Sequence, residues 1–159
     1  MNLFTINILL AAVWAAFMSS FNFPTLLAGY AIGFGALWAA QPLYNQPSGY
    51  FRRVWRIVKL TVYFTYELVM SSVQVVRAVL APGDVSTPKI VEMPLDAKSD
   101  AEILLVSSLI SLTPGTLSLD VSEDRGILYV HSMFAQDPDA IVADLKSGME
   151  RLVVEVFEP

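Results

Sequence analysis

No Asp, Glu, Lys or Arg occurs anywhere in residues 1–51. A soluble segment carries about a quarter charged residues, so this third of the chain cannot clothe itself in ionised groups and belongs in lipid. Within it lie two apolar runs of 18 residues each, 3–20 and 23–40, at the short end of the roughly 17 to 25 that cross a hydrocarbon core as a helix. Asn22 and Pro24 in "SSFNFPT" supply a turn between them. Residues 1–51 therefore read as a transmembrane helical hairpin with an exit loop, "QPLYNQPSGYFRR". A removable signal peptide fits less well, because its charged leading end is missing and a second apolar run follows at once.

Arg52, Arg53, Arg56 and Lys59 follow the hairpin directly. By the positive-inside rule they place its exit, and with it both ends of the hairpin, on the cytoplasmic side. Trp14 and Trp38 are candidates for the membrane interfaces, Trp14 the poorer for its central place. Gly29 and Gly33 form a small-xxx-small pair that lets another helix approach closely, although glycine is also simply common in membrane helices; Gly35 lies beside them. Ion pathways are usually marked by ionisable residues inside the membrane. With none here, the hairpin is not expected to conduct ions.

Residues 52–81 change character, with five basic residues against one acid, a local balance of +4. At 100° per residue Arg52, Arg56, Lys59, Tyr63, Glu67, Ser71, Gln74 and Arg77 fall within an arc of about 120°, and the rest of the cylinder is apolar. Such a helix is expected to lie along the cytoplasmic interface, its polar stripe toward water or headgroups. The alternative is a third crossing with the stripe inside a larger bundle, where Glu67 would cost a few kcal/mol unless partnered. Glu67 is then either a transport carboxylate or, as favoured here, the partner of Arg77 or of another chain's lysine.

Residues 82–159 are acidic, fourteen acids against five bases, and read as a small cytoplasmic α+β domain. "KIVEM" between prolines is an expected strand. "SDAE", Ser99 to Glu102, has the spacing of a capping box and should start a helix. Pro114 and Gly115 of "TPGT" fit a tight turn. Beyond them Leu117, Leu119 and Val121 alternate with Ser118 and Asp120, and "ILYVHSM" returns after "SEDRG" as the second arm of a hairpin. Asp137 and Pro138 then launch a last helix. Ile141, Val142, Leu145, Met149, Leu152, Val153 and Val156 are its buried stripe, and Lys146–Glu150 and Arg151–Glu155 its exposed ion pairs. The order β-α-β-β-α implies a three-stranded sheet, third strand in the middle, with two helices on one face.

The absence of cysteine excludes disulfides and thiol chemistry. His131 is the single histidine, and no nucleophile is patterned with it. Asp120, Glu123 and Asp124 lack the glycine and terminal glutamate of an EF-hand loop, so a solvated turn is the default. The acidic balance disfavours nucleic acid. No enzyme activity, cofactor, metal or small-molecule substrate of this chain alone is expected.

"SSLISLTPGTLSLDV" followed by "EDRGILYVHSM", with "VWRIVKLTVYFTYELVMSSVQVVRAVLAP" before it, resembles the E-type subunit of the Mrp-type multisubunit sodium/proton antiporters. The resemblance is specific across residues 104–133 and extends to the middle helix; residues 1–51 match only in hydropathy. It implies a small accessory subunit of a large complex in the bacterial plasma membrane, needed for assembly or full activity, with the ion paths chiefly in larger subunits related to respiratory complex I. Its partners would be those subunits and the bilayer. The motif carries over to Ser111, Leu112, Thr113, Pro114, Gly115 and Thr116, as a turn that either supports a docking surface or is purely internal. The competing readings are a membrane-tethered adaptor recruiting a soluble basic protein through the acidic domain, and a self-sufficient ion carrier using Glu67.

Overall fold

A computed structural model describes residues 2–43, 49–83 and 86–158. The chain divides into two compact units, Met1–Val54 and Trp55–Pro159. Part of the expected exit loop, residues 44–48, and residues 84 and 85 of the expected α+β domain lie outside the described residues.

The first unit is a helical hairpin, α1 (Leu3–Phe17) and α2 (Phe23–Ala39), joined by the opening turns of α3 (Gly49–Leu80). Asn2 and Asn22 cap α1 and α2, each side chain accepting an amide hydrogen from three residues on, Thr5 and Thr25, at 2.9 Å. Both helices stop short of the expected 20 and 40: α1 ends as Ser19 takes a left-handed φ of 50°, and α2 gives way to a 3-10 turn, Gln41–Leu43. Among the described residues no helix is long and apolar enough to cross a membrane. At about 1.5 Å per residue α1 and α2 are roughly 23 and 26 Å long, against about 30 Å of hydrocarbon.

Gly29 and Gly33 do admit a helix, and that helix is α1. A Cβ on Gly29 would lie 2.8 Å from that of Trp14, and one on Gly33 would collide with the Asn7 amide oxygen. Asn7 is fully buried. Its Nδ2 donates to the Tyr50 hydroxyl at 2.9 Å, which shares a second hydrogen bond with Tyr30 at 2.8 Å. This chain of polar groups ties the start of α3 to the hairpin.

The second unit is an α+β layer. The sheet order is β1 (Lys89–Pro94), β3 (Ile127–Ser132), β2 (Thr116–Val121), with both neighbouring pairs antiparallel, so the third strand is central as expected. α4 (Asp100–Leu112) begins at the expected capping box, Ser99 and Glu102 each satisfying the other's backbone amide. The last helix is not regular: α5 (Pro138–Leu145) and α6 (Arg151–Phe157) flank a π-helical turn, Lys146–Glu150.

Three expectations are corrected. Leu117, Leu119 and Val121 do not share a side: a register shift between Ser118 and Asp120 inserts one residue and reverses the alternation. Val121 packs on the core, while Leu117 and Leu119 stay half exposed. Glu150 is not the exposed end of an ion pair but 1% exposed; the π turn brings it inward, where its Oε1 accepts the Asp96 and Ala97 amides at 2.6 and 3.1 Å. Finally, the polar stripe of α3 is not left wholly to water or headgroups, because its first basic residues are engaged by the chain's own terminal helix. Arg56 reaches the Glu158 carbonyl (2.9 Å) and carboxylate (3.3 Å), and Lys59 the Glu155 carboxylate (3.0 Å). The acidic terminal helix, tethered nearby, shares these cations with solvent.

The core lies between sheet and helices, from Val91, Met93, Leu128 and Val130 below to Ile103, Val106 and Ile110 of α4 and Met149, Leu152 and Val153 above. Leu60 is buried in it, with Tyr63 and Phe64 against it, so α3 is a third helix of this unit.

Candidate functional site

At the end of α4 the chain turns back with its polar groups satisfied. The Thr113 and Thr116 hydroxyls converge on the Ile110 carbonyl at 2.6 and 2.7 Å, closing the helix's last turn where Pro114 forbids another. Gly115 takes φ of +93°, as the third residue of a type II turn requires. Backbone conformation reserves this place for glycine, since a Cβ would meet Phe134 and Val75 only at ordinary contact distances, 3.4 and 3.7 Å.

The turn stands opposite the polar stripe of α3, and between them lies a cleft of about 250 Å³. Residues 113–116 form one rim, and Tyr63, Glu67, Ser71 and Gln74 the other. Ser132 of β3 and Phe134 lie at the sheet end; Ile141, Asp144, Leu145 and Met149 close the remaining side. Burial first, then the charge of Glu67, pushes the Tyr63 phenol above its usual value. Asp144 acts in the same direction and Arg151 against it. Neither Glu67 nor Asp144 enters an ion pair among the described residues. Ser132 is 4% exposed.

Of the residues singled out from sequence, Glu67, Gln74, Thr113, Pro114, Gly115 and Thr116 meet in this cleft. Ser111 and Leu112 do not: the Ser111 hydroxyl accepts the Ser118 amide at 3.1 Å, and Leu112 is exposed. Arg56 and Lys59 are engaged by the terminal helix. Arg77 lines an adjoining groove with Gln74, Ala78 and Gln136; ten residues along a helix span about 15 Å, which separates it from Glu67, so the expected pair does not form. Tyr63 and Ser71 were visible within the stripe's arc. Asp144, Ser132 and Phe134 carried no local signal and arrive through the fold. His131 sits on the opposite face of the sheet, between Ile90 and Leu117. Asp124 accepts the Ser122 hydroxyl and the Gly126 amide within its own turn. Among the described residues no three acidic or histidine side chains gather as a metal site.

The family model described as Na+/H+ ion antiporter subunit matches residues 7–156. The chain is 35% identical over 151 residues to the E-type subunit of the Na(+)/H(+) antiporter of Alkalihalophilus pseudofirmus, and 32% identical over 151 residues to that of Bacillus subtilis, each match covering 95% of both chains. Among solved structures, a chain of the Mrp complex from Dietzia sp. DQ12-45-1b matches with a TM-score of 0.51 and 31% identity, over 65% of this chain and 97% of that one. A chain of the membrane-bound sulfane sulfur reductase, an archaeal respiratory membrane complex, shares the fold over 98% of both chains, with a TM-score of 0.58 at 20% identity.

Proposed function

The chain belongs to the family of E-type subunits of Na+/H+ antiporters, and on that premise we propose that it is an accessory subunit of a multisubunit sodium/proton antiporter, supporting assembly and activity without carrying the ion path. The observation that supports this best is the two-sidedness of α3. Its polar stripe faces its own domain, which leaves Trp55, Val58, Val62, Tyr66, Val69, Val73, Val76 and Leu80 exposed at three- and four-residue spacing away from the stripe. An apolar stripe of that length asks for lipid or for other subunits.

In this reading α3 lies at the cytoplasmic boundary of the bacterial plasma membrane, and the acidic α+β domain stays in the cytoplasm. The hairpin sits in the bilayer. Its outward side chains are apolar, Phe4, Leu9, Val13, Phe17, Leu27 and Ile32 among them, and a shortfall of a few ångströms in helix length is met by local thinning at modest cost. No Asp, Glu, Lys or Arg lies in the hairpin helices, which supports an ion path through other chains.

Two measurements test the reading. Mild-detergent extraction should deliver the chain in a particle much larger than itself, and the purified chain alone in vesicles should exchange no protons for sodium. Recovery as a lone chain, or bound only to a soluble protein, overturns the subunit reading. Exchange by the purified chain overturns the accessory one.

A further inference from the structure

We propose that the cleft between α3 and the Pro114-Gly115 turn receives a basic side chain, lysine or arginine, from a neighbouring subunit of the antiporter. The proposal rests on the subunit reading above and adds what the cleft binds.

Two features of the cleft converge on a cation borne on an apolar stem. The first is its charge. Glu67 and Asp144, drawn to one cleft from α3 and α5, enter no ion pair among the described residues. The second is shape. One water needs only about 10–15 Å³ of such volume, so the 250 Å³ of this cleft far exceeds a single ion and suits a long side chain. The walls suit one as well: Ile141, Leu145, Met149 and Phe134 can flank methylene groups while the carboxylates take the head.

The chain's own bases are placed elsewhere. Arg56, Lys59, Arg125 and Lys146 are held by ion pairs, and Arg151, whose charge Tyr63 senses, turns its guanidinium toward Glu155. Arg77 lies about 15 Å along α3 from Glu67. A partner's arginine or lysine would therefore meet two carboxylates that no ion pair among the described residues neutralises, an arrangement that sets register between subunits as well as holding them.

The test uses the assembled complex from cells expressing the full chain, with photoreactive benzoylphenylalanine in place of Gln74 at the cleft. Illumination should join this chain to one other subunit, at a peptide whose attachment site lies beside a lysine or arginine. Glu67→Gln and Asp144→Asn together should lower the yield of that crosslink, and the retention of the chain in the complex through a high-salt wash, by about tenfold. Asp144→Asn alone, a change at an exposed position, should lower both in part, and it keeps the test decisive if the pair disturbs folding. The proposal is overturned if the crosslink stays within this chain, for instance at Arg77, or reaches only lipid. It is equally overturned if the neutral variants crosslink and resist salt as the natural chain does. Failure of the subunit reading looks different, since the natural chain would then enter no large particle at all.

Discussion

Lys146 shows how far a residue's role can depart from its spacing. Four positions ahead of Glu150 it looks like half of a surface pair, yet its ammonium donates to the Pro94 carbonyl at 2.7 Å and faces Asp96 at 2.8 Å and Glu150 at 3.5 Å. Burial works against its charge, but the hydrogen bond to Asp96 and the Glu150 charge outweigh it, and the ammonium's pKa is raised. Its contribution to stability is therefore complete at neutral pH and fades only as alkali titrates it. Glu102 has the opposite sign. The Ser99 and Lys98 amides hold its carboxyl below the usual range, so its stabilisation is full above the ordinary glutamate value of 4.5 and is lost as pH falls through the lowered one. Glu102→Ala should cost about 1 kcal/mol near neutrality, as capping losses do. The difference from the natural chain in urea unfolding should shrink steadily below pH 4.5 as the carboxylate of the natural chain is protonated.

Among the elements, α3 is held by two kinds of contact with different strengths. The Arg56–Glu158 and Lys59–Glu155 pairs are partly solvated, and such pairs contribute about 0–1 kcal/mol. Leu60, 8% exposed and within the core, should cost about 2–5 kcal/mol when cut to alanine. Limited proteolysis of the detergent-solubilised chain should thus find α3 released far more readily in Leu60→Ala than in Lys59→Ala. Equal protection in the two would mean that charge, not packing, seats the helix. Gly148 makes the same point: a Cβ there would collide with the Tyr63 hydroxyl and lie 2.7 Å from its Cζ, so the π turn and α3 approach as closely as a bare backbone allows.

For the whole molecule, the question is which side of a membrane the acidic domain occupies. The chain has no cysteine, so Glu123→Cys in the exposed β2–β3 turn provides a single reporter. In intact cells it should resist a membrane-impermeant thiol reagent and react after the membrane is permeabilised. Strong labelling of intact cells would mean that α3 spans and the domain lies outside.

Much of this molecule was legible along the chain because its causes are local. The charge-free stretch of residues 1–51 is a matter of composition alone. The Asn22 turn, the Ser99–Glu102 box and the Pro114-Gly115 turn each depend on residues within four positions of one another, where backbone geometry and capping act directly. The tertiary structure alone decided what the polar side of α3 faces, that Glu150 is buried, and that Glu67, Ser132 and Asp144 share one cleft. These depend on groups tens of residues apart, and a polar stripe satisfies the same periodicity whether water, headgroups or the chain's own acidic helix lies opposite. Periodicity records which residues share a face; only packing supplies the neighbour.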